Sequence, residues 1–216
     1  MNIDQQMDHF FDLSQQLRAK ERAPTTPNEK QAAVIIEEFE KCLYDLIMEK
    51  MPVHIIQASI FYFWVTLEAP MRGVGQHKIG RWSMPLDKAI HKIMYTVQTT
   101  LNSLPDPEQS PEMQEFGDTV EGIKAHIPDD HFSQSLSREE LTFCSTYINT
   151  RIHTVTSNFL KQSFHPEIVA NVIFSRWLRL TTMHASTPET YYQKMEHYFE
   201  KVIAAARNYI PKLFQG

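Results

Sequence analysis

The sequence contains few of the residues that β-rich and doubly wound folds need. Only six of its 216 residues are glycine, and no stretch alternates Val, Ile and Thr with polar residues. Strands of those folds show that alternation, and their turns need glycine where φ is positive. The two shortages argue against both classes and favour an all-α fold.

Signatures of catalysis and metal binding are also missing. The chain has no GxSxG, HExxH or ExxH motif. The glycine pair at Gly73 and Gly75 lacks the preceding strand or the following GK[ST] of a nucleotide-binding loop. Cys42 and Cys144 belong to no CxxC motif, so we predict that both are buried free thiols. The sequence therefore favours a non-enzymatic protein and predicts no cofactor and no metal.

No stretch is long and apolar enough to suggest a membrane span. The most apolar one, residues 52–67, contains His54, Gln57 and Ser59 and falls short of the ~20 apolar residues that a bilayer requires. The N-terminus shows no basic region followed by an apolar core, which is the pattern of a secretory signal. We expect a cytoplasmic protein, although a protein exported by signal-independent machinery would have the same sequence features.

Charge is distributed unevenly along the chain. The formal net charge is −5, yet residues 105–131 carry eight acids against the single Lys124. The net charge of this segment is more negative than that of the whole chain, and the rest of the chain is close to neutral. Bulk charge therefore gives no reason to expect a nucleic-acid partner.

Apolar residues recur at helical spacing through most of the sequence. Steps of three and four predict an amphipathic helix at residues 2–20, several core helices, and a last helix that stops before Pro211. Ser137 and Glu140 have the spacing of a capping box, in which a serine side chain and a glutamate side chain close a helix N-terminus.

Two apolar segments of the sequence resemble each other. A shift of 113 aligns residues 52–67 with residues 166–180 and gives five identities: Ile55 with Ile168, Ile60 with Ile173, Phe61 with Phe174, Trp64 with Trp177, and Leu67 with Leu180. Internal duplication explains the match, and so does the general likeness of apolar helices. The first copy differs by an insertion that holds Gly73, Gly75 and Gly80.

These patterns predict an all-α, single-chain helical bundle of about seven or eight helices. The hypothesis of duplication divides it into two similar three-helix units. The predicted parts are an N-terminal amphipathic helix at 1–22, a first helical unit at 27–104, an acidic connector at 105–136, and a second helical unit at 137–216.

The loop at residues 70–84 is the most unusual segment, because it is basic, contains glycine and has no acid. Such a loop can bind an anion or an acidic segment, since Arg offers a fork of donors and Gly exposes backbone N–H groups. We predict a helical adaptor, chaperone-like or regulatory protein whose protein partner contacts this loop. The candidate partner-binding residues are Arg72, His77, Lys78, Arg81 and Trp82.

A different class of function stays open beside this one. A small-molecule-binding protein or an enzyme could have its pocket inside the helical bundle, with a few polar groups in apolar surroundings. The candidates for that pocket are His54, Gln57, Tyr62 and His91. The sequence names neither the partner nor the oligomeric state.

Overall fold

The computed structural model describes residues 5, 26–107, 111, 114, 118, 136–184 and 189–215. Over these residues the chain forms eight helices and no strand, which confirms the predicted all-α bundle. The predicted helix at 2–20 and most of the connector at 105–136 lie outside the described residues. The helices are α1 (Pro27–Met48), α2 (Val53–Met71), α3 (Gln76–Ile79), α4 (Leu86–Asn102), α5 (Arg138–Lys161), α6 (Pro166–His184), α7 (Glu189–His197) and α8 (Phe199–Leu213).

Reciprocal hydrogen bonds close the N-termini of α1 and α5. The Ser137 hydroxyl accepts from the Glu140 N–H at 3.3 Å, and the Glu140 carboxylate accepts from the Ser137 N–H at 2.9 Å. This is the capping box that the sequence predicts. Thr26 and Glu29 form the same arrangement at α1. Each cap satisfies N–H groups that have no partner within the helix and contributes about 1 kcal/mol.

The centre of the core is the contact between α2 and α6, which carry the two similar segments. Trp64 and Trp177 are fully buried, and their rings lie nearly parallel with centroids 6.4 Å apart. The ring centroids of Phe174 and Trp64 are 4.4 Å apart, and those of Phe61 and Trp177 are 5.0 Å apart. Each phenylalanine thus packs on the tryptophan of the opposite helix. The four rings form a reciprocal aromatic cluster that holds the two helices together.

The same reciprocity extends to the other helices. At the same shift of 113, residues 27–48 of α1 align with 140–161 of α5, and residues 86–102 of α4 align with 199–215, which cover α8. This correspondence does not need the insertion predicted for the first copy. Each of these helix pairs, like α2 and α6, is in contact. In addition, α2 contacts α5 while α1 contacts α6. Two copies related by a twofold axis show this pattern, because each surface meets its own counterpart. Internal duplication predicts such contacts and stays a hypothesis.

Two prolines lie inside helices that the sequence analysis ended earlier. Helix α2 continues through Pro70 to Met71, and α8 continues through Pro211 to Leu213. Each proline removes one helical hydrogen bond, and the helix continues for only one residue beyond Pro70 and two beyond Pro211. The predicted single helix before Pro211 is two helices, since the chain turns at Tyr198 between α7 and α8.

Candidate functional site

The 70–84 loop leaves α2 through a tight, anchored turn. Gly73 has a φ of 77°, a left-handed conformation that favours glycine. The next residue, Val74, is buried and donates its N–H to the carbonyl of Ala69 at 2.9 Å. The loop therefore begins in one defined direction.

A buried carboxylate fixes the root of the loop. The Glu68 side chain is 0% exposed and receives two arginines, Arg72 at 3.1 Å and Arg207 of α8 at 2.7 Å. Arg207 also donates to the Asn171 side chain on α6, and Arg72 lies 3.5 Å from Glu167. This network, called here the Glu68 cluster, joins α2, α6 and α8 where the loop begins.

The Glu68 cluster changes the interpretation of Arg72. The sequence analysis places Arg72 among the partner-binding residues, but its guanidinium is already paired with two carboxylates of this chain and is 28% exposed. Sequence reasoning missed Glu68 itself. The available signal was a single carboxylate inside the apolar helix α2, since a buried acid requires a cation.

The middle of the loop presents positive charge to solvent. Residues His77, Lys78 and Arg81 are exposed around the short helix α3. Among the residues that the structure describes, Lys78 and Arg81 have no acidic partner. These two cations are therefore available for contacts with another molecule.

Trp82 anchors the far end of the loop. Its ring stacks on Tyr62 of α2 with centroids 6.0 Å apart, and it packs against Phe214 at 5.3 Å. The side chain is half-buried and joins the edge of the core. The sequence predicts that Trp82 contacts a partner, whereas in the structure its ring packs the loop against α2 and the C-terminus of α8.

The residues of the alternative pocket are dispersed. Tyr62 is 44% exposed and His91 is exposed, so neither lines a closed cavity. His91 instead donates through Nδ1 to the carbonyl of Asp87 at 2.7 Å. Gln57 is buried and donates to the carbonyl of Leu180 at 3.0 Å. His54 is partly buried, and among the described residues its Nδ1 has no hydrogen-bond partner and no contact with solvent.

Cys42 and Cys144 are both buried and unpaired, as predicted. Burial raises the pKa of the Cys42 thiol, and the nearby Arg151 guanidinium offsets part of that rise. Across the described ranges, no group of three His, Cys, Asp or Glu side chains is arranged to hold a metal ion. None of the described helices combines the length and hydropathy needed to cross a bilayer.

No family model, curated protein or solved structure matches the chain.

Proposed function

We propose that this protein is a non-enzymatic helical interaction protein, of the adaptor, chaperone-like or regulatory kind, that binds a protein partner through the 70–84 loop. The observation that carries the proposal is the combination of a fixed loop with unused charge. Lys78 and Arg81 lie exposed between two anchors, the Glu68 cluster at one end and Trp82 at the other.

Anchoring of this kind favours binding for a physical reason. A loop that already has its bound conformation loses little conformational entropy when a partner arrives. Its guanidinium and ammonium groups attract carboxylates and speed association, and the exposed edge of Tyr62 adds apolar area beside them. Long loops on rigid scaffolds are also common binding elements.

The proposal includes a cytoplasmic site of action. Two buried free thiols, Cys42 and Cys144, support it, because reducing compartments keep cysteines in this form.

Quantitative affinity purification of the tagged full chain from its own cells tests the proposal. The loop variant combines Lys78→Glu with Arg81→Glu. The control variant combines Lys30→Glu with Arg138→Glu, two cations that are also exposed and lie in the first turns of α1 and α5.

We expect the loop variant to lose a protein that the wild type and the control variant both retain. Its thermal unfolding should stay unchanged, because exposed charges contribute little to stability. Recovery of the same proteins with all three chains would refute the proposed function.

A further inference from the structure

Positive charge continues from the loop onto the helix pair α4 and α8. The two helices pack against each other. Trp82, just before α4, meets Phe214, just after α8, so the pair is antiparallel. At the opposite end, Lys194 of α7 donates to the carbonyl of Leu104, just beyond α4. The first turn of α4 therefore lies beside the last turn of α8, next to the loop.

Lysines follow the solvent side of both helices. On α4, Lys88, Lys92 and Tyr95 are spaced at i, i+4 and i+7, away from the buried residues Ala89, Ile93 and Val97; Lys88 and Tyr95 are exposed, and Lys92 is partly buried. Tyr95 is 72% exposed. On α8, Lys201 and Lys212 are exposed at the two ends. We give the name basic face to the four lysines of α4 and α8 together with the two exposed cations of the loop: Lys78, Arg81, Lys88, Lys92, Lys201 and Lys212.

Among the described residues, no acid pairs with a member of the basic face. Lys201 and Lys212 instead lie over the rings of Tyr198 and Tyr209. The acids on these two helices are Asp87 and Glu200, each in a first turn. A carboxylate there interacts favourably with the helix N-terminus, so neither neutralises a neighbouring lysine fully.

The other side of the bundle has the opposite charge. Helix α1 carries five acids against Lys30 and Lys41. Cations that meet this helix are ion-paired, as Arg151 is with Asp45 at 3.1 Å and Arg176 is with Glu40. The net charge of −5 therefore conceals an acidic side and a basic side.

We infer that the basic face binds an acidic protein segment that runs from the loop along α4 and α8. The inference rests on the proposed function and names the chemistry of the partner. Helix α4 has 17 residues and is about 25 Å long, which matches an acidic helix of similar length. Lysines at i and i+4 meet carboxylates that recur once per turn, and Tyr95 contributes apolar area in the middle of the face.

The size of the face favours a protein segment over a nucleic acid. A long polyanion would extend past the end of α4, where the exposed Asp106 lies beside Lys194, and like charges repel over a screening length of about 8 Å at physiological salt. A short acidic segment fits within the basic side alone. Electrostatic complementarity of this kind sets specificity and the rate of association.

Fluorescence anisotropy with the full chain tests the inference. The probe is a labelled peptide of about 20 residues, the length of a 30 Å helix, with Glu at every third and fourth position. The face variant combines Lys88→Glu with Lys201→Glu. Both lysines lie in the first turn of their helices, where Glu is favourable, so folding should be preserved. If the face variant does not fold, a neutral version, Lys88→Gln with Lys201→Gln, tests the inference in its place.

We expect the peptide to bind the wild type, with affinity that falls as salt rises. The face variant should bind about tenfold more weakly, since two attractive contacts become repulsive, and the neutral version should lie between them. The control variant, Lys30→Glu with Arg138→Glu, should bind as the wild type does. Equal binding by the face variant and the wild type would overturn the inference, and so would no binding to the wild type at low salt.

Two further probes separate the classes of partner. Duplex DNA and phosphatidylserine vesicles should both bind less tightly than the peptide, and tighter binding of either one that the face variant abolishes would assign the face to that polyanion. If the loop variant weakens peptide binding while the face variant does not, the proposed function stands and the extension along α4 and α8 is wrong. If neither variant weakens peptide binding, the inference is wrong, and the affinity purification decides the proposed function on its own.

Discussion

Replacing Glu68 by Gln is the sharpest test of how the loop is anchored. Gln has nearly the same size as Glu, so no cavity forms. The substitution removes the charge and turns one of the two oxygens that accept from Arg72 and Arg207 into a donating amide group. The carboxylate is 0% exposed, and its partner Arg207 is 13% exposed. After the substitution, Arg207 remains largely buried with a neutral partner, the side chain of Asn171.

The expected cost follows from these exposures. Removing one member of a buried ion pair costs about 3 to 5 kcal/mol, because the remaining charge is left uncompensated. Arg72 is 28% exposed and keeps Glu167 at 3.5 Å, so it can turn toward water. We therefore expect the lower end of the range, about 3 kcal/mol. For a chain of 216 residues this corresponds to a melting temperature lowered by roughly 6 to 12 °C.

Urea unfolding followed by circular dichroism measures the free energy. Hydrogen exchange at the Val74 amide, which donates to Ala69, reports whether the root of the loop has loosened. Glu167→Gln is the matched control: this side chain is 50% exposed, and its loss should cost less than about 1 kcal/mol. A change below about 1 kcal/mol for Glu68→Gln, with unchanged exchange at Val74, would refute the argument that the buried carboxylate is the anchor.

Four other substitutions have predicted outcomes. Trp64→Ala and Trp177→Ala should each lower the free energy of unfolding by about 3 to 5 kcal/mol in urea melts, because both rings are fully buried in one aromatic cluster; a cost below 1 kcal/mol for either would contradict that packing. Trp82→Ala should lower the melting temperature, unlike the charge reversals of the loop, since its half-buried side chain packs on Tyr62 and Phe214; an unchanged melting temperature would contradict its role as an anchor. Burial raises the pKa of Tyr191 to about 12, so the folded chain favours the neutral phenol, and stability that is full below pH ~10 should decline as the pH rises toward 12. When the wild type and Tyr191→Phe are both unfolded in urea from pH ~10 to 12, the variant should not show this part of the decline in the free energy of unfolding.

The helices and their buried faces could be predicted from local sequence. Spacing at three and four residues identified α2 and α6 as core helices, and the Ser137 and Glu140 pair marked the start of α5. These features depend on residues within one or two turns of each other. The ends of α2 and α8 differ from the prediction, because the sequence assigns Pro70 to the loop and ends the last helix before Pro211, whereas each helix continues briefly past its proline.

The candidate site could be predicted only in part, because its roles depend on contacts between distant segments. The loop was recognisable from its glycines and its lack of acids. That Arg72 is paired internally depends on Glu68 and on Glu167, 95 residues farther along the chain. That Trp82 is an anchor depends on Phe214, which the chain brings back only at its end. No local pattern distinguishes these residues from Lys78 and Arg81, which stay exposed.

Charge shows the same limit more generally. Counting charges along the sequence averages over the faces of each helix, so α4 and α8 look unremarkable and only the connector is conspicuous. Packing separates the faces: the acids Glu68 and Glu40 turn inward to arginines, while Lys88 and Lys201 stay in solvent. Because an inward ion pair cancels its own field, the potential outside the protein is set by the charges that remain unpaired. A chain with a net charge of −5 can therefore present a basic side to a partner.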